Sequence, residues 1–183
     1  VDPEACLPWL RTQLRRHPEP APPLALEDPL DQAERHLDRG ELSVADILLN
    51  NLGAELEDQI KGRAFMLRAR LYRLRHEGFK ALNALTTARA AWPHGAAAID
   101  CERALLLLRE GQPENALQLL DASIKGSGQG ALPKAILLMA TTQQFLDGVD
   151  AARRWWVRLT DHHPDSRWAW AAAVMLENED LLR

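Results

Sequence analysis

The 183-residue chain has few of the features that mark specialised classes of protein. Its two cysteines, Cys6 and Cys101, are too few for a disulfide scaffold and lack the spacing of metal ligands. Whether these two pair is left open. No apolar run approaches the ~18 residues of a membrane-spanning helix, so no transmembrane segment is expected. The opening residues VDPEACLPWL also lack the charged-then-apolar order of a signal peptide. We therefore expect a soluble domain, with the compartment undecided between bacterial cytoplasm and periplasm.

An excess of basic residues is also absent. The chain has 22 Lys and Arg against 26 Asp and Glu, for a net charge of −4. Because binding to nucleic acid requires enough cations to neutralise several phosphates, we expect no nucleic-acid partner. The content of 46% hydrophobic and 26% charged residues is that of a chain that folds around a core.

The pattern along the chain divides it into three segments. Residues 1–17 are predicted to form an N-terminal helix, since Leu7, Leu10 and Leu14 have helical spacing. Residues 18–28, PEPAPPLALED, are too rich in proline for a helix, and an extended linker is favoured over a ligand for an aromatic-lined domain. Residues 29–183 show no strand pattern and are predicted to be a helical repeat domain.

Glycine and proline divide residues 29–183 into helices of about 12 to 20 residues. The predicted breaks are Gly40, Gly53, Gly78, Pro93, Gly111, residues 126–130, Gly148 and Pro164. Short breaks place successive helices antiparallel to one another. The expected fold class is therefore all-α.

Alanine recurs at a nearly constant interval. One set of four is separated by 36, 35 and 36 residues, and a second set lies 12 residues further on with the same intervals. The two sets are Ala33, Ala69, Ala104 and Ala140, then Ala45, Ala81, Ala116 and Ala152. With 28 Ala in the chain, eight arbitrary positions would hold about one. A methyl group lets two helices approach closely where they cross, so these positions are predicted to be helix contacts.

The period and the motif around it resemble the tetratricopeptide repeat family, a helix-turn-helix unit of about 34 residues. The second unit carries the best match, at Ala69, Tyr72, Ala81, Leu85, Ala88 and Pro93. The third keeps REGQPENAL, and the fourth keeps Ala140, Ala152, Trp156 and Pro164. The resemblance implies about four units and a capping helix, in a superhelical array of antiparallel hairpins. Positions that hold Trp in the family carry Pro29, Phe65, Asp100 and Ile136 here, so a related repeat such as the Sel1-like type stays open.

In the family, the first helix of each unit lines a concave groove that holds a partner. By this resemblance the groove residues are Arg63, Met66, Arg70, Arg73, Leu105, Leu108, Arg109, Leu137, Thr141, Gln144 and Phe145. Such a surface would suit an amphipathic segment that carries some acid. Charge reversal at Arg70 and Arg73 is accordingly expected to weaken partner capture without unfolding the chain.

The basic stretch Lys61 to Arg75 has six cations and no acid, and it has a second interpretation. Long basic side chains commonly cover neighbouring surface with their apolar stems, and this structural role is favoured over ligand binding. Near the end of the chain, Trp156 is predicted to be core. Trp155 and Trp168 cannot both share its face, so two interpretations stay open: at least one of them is partly exposed as an aromatic anchor for a partner, or both are buried under the final helix.

A search for chemistry finds no catalytic set. The stretch KGSGQGALPK lacks the Lys-Ser/Thr ending of a phosphate-binding loop, and the adjacent His162 and His163 point in different directions on a helix. We therefore expect no enzyme activity, no cofactor and no metal. The resemblance implies a protein-interaction scaffold, in bacteria often within an envelope, secretion or exopolysaccharide assembly. The alternative is a regulatory or localising module of a larger enzyme or transcription regulator.

Enlarging an alanine at a predicted helix crossing should destabilise the fold. We expect Ala81→Leu and Ala104→Leu each to lower the free energy of unfolding by roughly 1 to 3 kcal/mol, because the extra methylene groups overpack the contact. Thermal unfolding of both variants measures the loss. Melting temperatures equal to that of the parent would show that the alanine sets are not contact positions.

Overall fold

The computed structural model describes residues 28–52, 57–127 and 131–178. In these ranges there are nine α-helices and no strand, which confirms the all-α prediction. The helices are α1 (Pro29–Arg39), α2 (Leu42–Asn50), α3 (Asp58–Leu74), α4 (Gly78–Ala91), α5 (Ala96–Arg109), α6 (Pro113–Ser127), α7 (Pro133–Asp147), α8 (Val149–His162) and α9 (Arg167–Glu177), with a 3₁₀ turn at Pro93–Gly95. The predicted N-terminal helix, Cys6 and all but the last residue of the predicted linker lie outside the described residues.

Local residues explain where several helices begin. Proline occupies the first position of α1, α6 and α7, where its missing N–H costs no helical hydrogen bond. Asp28 caps α1 by accepting a hydrogen bond from the Leu30 N–H at 3.0 Å. Ser166 caps α9 in the same way, through the Ala169 N–H at 3.0 Å. The helices are 9 to 17 residues long, so several are shorter than expected.

The first three turns within helix pairs share one backbone conformation. Gly40, His76 and Gly111 each have a positive φ, of 77°, 66° and 71°. In each turn, this residue's N–H donates to the carbonyl three residues back at 3.1 to 3.2 Å, and the next N–H donates to the carbonyl five residues back at 2.8 to 2.9 Å. This is the Schellman pattern of helix C-termini. The sequence assigned the second turn to Gly78, which is instead the first residue of α4.

The eight periodic alanines occupy α1 to α8 in order, one in each helix. Every one of them is at most 1% exposed. Their predicted burial is thus confirmed, and no side chain larger than a methyl group occupies these positions.

The described helices fall into two compact units. The first unit comprises the described residues up to Leu106. In it α1 packs on α2 and α3, α2 also contacts α3, and α3 packs along α4. Its core includes Leu30, Leu49, Leu67 and Leu71, each at most 2% exposed.

The second unit comprises the described residues from Leu107 onward. Here α7 packs on α6, α8 and α9, and α8 also contacts α9. Burial is therefore nearly continuous along α7, where eight residues between Ala135 and Gln143 are buried. Trp156 of α8 is fully buried, as predicted.

Trp92, just after α4, packs closely against the first turns of α3. A Cβ atom at Gly62 would lie 2.2 Å from the Trp92 Cβ, so only glycine fits there. Gly95 meets the same indole, since its Cβ would lie 2.1 Å from the Trp92 ring. The two glycines let this large side chain occupy the junction between α3 and α4.

The turn at His76 should be improved by glycine. A side chain in the left-handed conformation is strained, so we expect His76→Gly to raise the free energy of unfolding by about 0.5 to 1 kcal/mol, despite the added freedom of the unfolded chain. Thermal and urea unfolding measure the change.

Gly111→Ala is the matched control, because Gly111 has the same conformation with open space around its Cβ position. Backbone strain alone should lower its stability by about 1 kcal/mol. A loss of stability in His76→Gly would show that the histidine side chain stabilises this turn.

Candidate functional site

The predicted groove residues of the first unit lie along one face of α3. Arg63, Met66, Arg70 and Arg73 follow one another at intervals of three, four and three residues, which is the spacing of neighbours on a helix surface. Met66 packs against the core, whereas the three arginines meet carboxylates of other helices. The structure therefore brings these four residues together, but it also gives the arginines partners within the chain.

Arg63 is held by three carboxylates at the start of α1. Its guanidinium donates to Asp28 at 3.2 Å, to Asp31, and to Glu34 at 3.3 Å. Burial alone would lower the pKa of Arg63, but hydrogen bonds and charge from Asp31 and Glu34 outweigh it, so the pKa is raised. The side chain remains charged and is neutralised locally.

Arg70 repeats this arrangement two turns further along α3. Its guanidinium donates to Asp38, and Glu34 lies 3.9 Å away. Burial would again lower the pKa of Arg70, but the carboxylates of Glu102, Asp38 and Glu34 raise it. Asp31 to Arg63 and Asp38 to Arg70 both join residues 32 positions apart, so α1 and α3 hold one register along this face.

Arg73 forms a buried ion pair with Glu102 of α5 at 3.3 Å. The two residues are only 4% exposed each. An arginine in this position cannot contact a partner protein. We therefore expect charge reversal at Arg73 to destabilise the fold rather than leave it intact, because it would bury two like charges side by side.

The other arginines of the basic stretch also have partners in the chain. Arg68 donates to the Leu49 carbonyl at 2.9 Å and lies 5.2 Å from the Phe65 ring centroid. Arg75 pairs with Asp46 at 2.6 Å. These contacts tie α3 to α2, and they support the structural interpretation of the basic stretch.

The remaining predicted groove residues are unequally accessible. Leu105, Leu108 and Leu137 are 4% to 6% exposed and serve as core. Arg109, Thr141 and Gln144 are half-buried, and Phe145 is 41% exposed. Of this group, Thr141, Gln144 and Phe145 share one face of α7, at intervals of three and one residues.

Both tryptophans predicted as anchors are half-buried, so at least partial exposure is confirmed. The Trp155 indole N–H donates to the Gln143 side-chain oxygen at 2.6 Å, and two arginines of α8 lie near its ring. The Arg167 guanidinium lies 4.6 Å from the Trp168 ring centroid. The aromatic surface of this unit is thus combined with positive charge.

Other apolar side chains are exposed on the second helix of a pair. The largest exposed fractions are 78% for Phe79 in α4 and 60% for Ile47 in α2. Val44 and Leu82, each 42% exposed, lie one turn from these two residues. None of these four residues was a predicted groove residue, because the resemblance places the groove on the first helix of each pair.

The described ranges contain no group of three or more His, Cys, Asp or Glu side chains that could hold a metal ion. His162 is exposed at the end of α8, and His163 follows it. Cys101 is buried, at 1% exposed. Of the Gly-rich run at residues 126–130, residues 128–130 lie outside the described residues. None of the described helices is both long and apolar enough to cross a lipid bilayer.

Comparison with models of known protein families and with curated proteins found no match. The sequence signal that could have predicted the paired charges is the acidic series Asp31, Glu34 and Asp38 on α1. Asp31 and Asp38 are seven residues apart, as are Arg63 and Arg70 on α3, so both pairs repeat every two helical turns. Recognising the pairing requires knowing that these two helices are neighbours.

The buried pair of Arg73 and Glu102 should be sensitive to the loss of one partner. We expect Glu102→Leu to cost about 3 to 5 kcal/mol, because it leaves the buried Arg73 without this carboxylate. The double variant Arg73→Met with Glu102→Leu should cost far less, since it removes both charges. Urea unfolding followed by circular dichroism measures both.

Arg75→Met is the control, since Arg75 and Asp46 are each about 30% exposed and an exposed pair contributes only about 0 to 1 kcal/mol. Equal losses for Glu102→Leu and Arg75→Met would contradict a special role for the buried pair.

Proposed function

We propose that the chain is a protein-interaction scaffold built from tetratricopeptide-like helix hairpins, which holds a segment of a partner protein against the first helices of its hairpins. The observation that carries this proposal is the repetition of one hairpin geometry. Turns with the same hydrogen bonds recur at Gly40, His76 and Gly111, and buried alanines recur in eight successive helices. Arrays of such hairpins present repeated helix faces on which an extended or helical peptide can lie.

The second unit supplies the contact face that we propose for the partner. Phe145 projects from α7 with 41% of its surface exposed, and the neutral polar side chains of Thr141 and Gln144 lie beside it. An exposed aromatic residue with hydrogen-bonding neighbours is the composition of a binding hot spot. The partner would therefore contribute an apolar side chain at this position.

In the first unit, we expect electrostatic attraction to contribute less to partner binding than the basic sequence of α3 indicates. Arg63 and Arg70 already pair with acids of α1, so an acidic partner would have to displace an internal carboxylate to reach them. Such an exchange of one ion pair for another gains little free energy. Apolar contact is therefore the main expected source of affinity at the proposed face.

Photo-crosslinking tests this proposal directly. The photoreactive residue p-benzoylphenylalanine replaces Phe145 in one sample and Phe79 in another, in cells of the source organism. We expect one discrete crosslinked protein from position 145 and none from position 79. Phe79 is the matched control because it is also an exposed phenylalanine, 78% accessible, but lies on a second helix.

Affinity capture with two further variants completes the test. Phe145→Asp should lose the crosslinked protein, whereas Val157→Asp should retain it, because Val157 is 40% exposed but lies on α8. Crosslinking at position 79 alone, or equal capture by both variants, would show that the α7 face is not the binding face.

A further inference from the structure

A second surface of the second unit combines an aromatic ring with two cations. We name it the Arg–Trp cluster, formed by Arg154, Trp155 and Arg158 of α8 with Gln143 of α7. The Arg154 and Arg158 guanidinium groups lie 5.6 Å and 5.4 Å from the Trp155 ring centroid. These distances are within the range of cation–π attraction, so both groups are held beside the ring.

Gln143 holds the Trp155 ring and the Arg154 side chain in place. Its side-chain oxygen accepts hydrogen bonds from the Trp155 indole at 2.6 Å and from Arg154 at 3.0 Å. Indole and guanidinium N–H groups can only donate, so the amide must present its oxygen to both. Since Gln143 is itself 9% exposed, the packing of α7 fixes the positions of the ring and of one arginine.

The charges of this cluster are not neutralised within the described part of the chain. Neither Arg154 nor Arg158 forms an ion pair with a carboxylate there, and Asp161 of the same helix pairs with neither. Arg63 and Arg70 in the first unit, by contrast, each meet at least two carboxylates. Arg154 is also exposed, and Arg158 and Trp155 are half-buried.

We infer that the Arg–Trp cluster is a binding site for an acidic segment of a partner protein. A carboxylate can accept two parallel hydrogen bonds from a guanidinium group, and stacking on the ring holds that group in place beforehand. An aromatic or aliphatic side chain next to the carboxylate would cover the exposed part of the Trp155 ring. The expected ligand is therefore a peptide in which acidic residues flank an apolar one.

A protein ligand is favoured over nucleic acid by the amount of charge. Nucleic-acid binding depends on several phosphate contacts made together, whereas this cluster offers two cations on a chain of net charge −4. Two cations suffice for one or two carboxylates of a peptide.

The cluster is separate from the face proposed for Phe145. Gln143 precedes Phe145 by two residues, which places the two side chains about 200° apart around α7. The inference thus goes beyond the proposed function and does not require it. The two can fail independently, because one test reads position 145 and the other reads the indole of Trp155.

The test is a titration of the full ¹⁵N-labelled chain with a defined probe. The probe is a capped pentapeptide in which a central phenylalanine is flanked by two acidic residues on each side. The control peptide carries the corresponding amides. We expect the acidic probe to shift the Trp155 indole signal, assigned through Trp155→Phe, and the amide peptide to shift it little.

Two charge variants localise the binding. Arg154→Gln combined with Arg158→Gln should raise the dissociation constant of the acidic probe about tenfold or more, as expected for the loss of charge-assisted hydrogen bonds. Arg153→Gln, which removes a cation from another side of α8, should change it less than about twofold, as for a charge at the rim of a site. Circular dichroism verifies that all variants are folded.

Three outcomes would overturn the inference. The first is a Trp155 indole signal that does not move with millimolar acidic probe. The second is an equal effect of Arg153→Gln and of the double variant on the dissociation constant, which would indicate that the probe responds only to the net charge of the chain. The third is tighter binding of a single-stranded oligothymidylate than of the acidic peptide, which would make the cluster a nucleic-acid site.

Discussion

Close contact between helices at methyl-sized side chains is the constraint on which the described structure depends. Each of eight successive helices buries an alanine of the periodic sets, and none of these residues is more than 1% exposed. A larger side chain would separate neighbouring helices and open gaps along the whole contact, since protein interiors tolerate few voids. A small buried residue therefore recurs in each of these eight helices.

The packing of α1 beside α3 brings their charged side chains together. Arg63 and Arg70 project toward the acids of α1, and Arg73 meets Glu102 away from water. The pairs of Arg63 and Arg70 stay partly exposed, whereas the pair of Arg73 and Glu102 is buried and costly to break. A neutralised arginine attracts an acidic group less than an uncompensated one. We therefore place the proposed binding surfaces, Phe145 and the Arg–Trp cluster, on the second unit rather than on the basic stretch of α3.

Much of the architecture could be predicted before any coordinates were known. Helix boundaries near Gly40, Pro93, Gly111 and Gly148 agree with the structure, because capping and helix breaking act over a few neighbouring residues. The contact alanines were found from their period alone. The candidate site was harder to predict, since Arg73, Leu105, Leu108 and Leu137 were expected to be accessible and are buried.

Sequence by itself determined the helical class and the interval at which buried alanines recur in successive helices. These properties arise from short-range preferences repeated every 35 or 36 residues, so they can be recognised in a single sequence. Tertiary structure alone decided which arginines of the described residues meet a carboxylate of another helix. The two partners of each ion pair on α3 lie about 30 residues apart, and only packing brings such groups within hydrogen-bond distance.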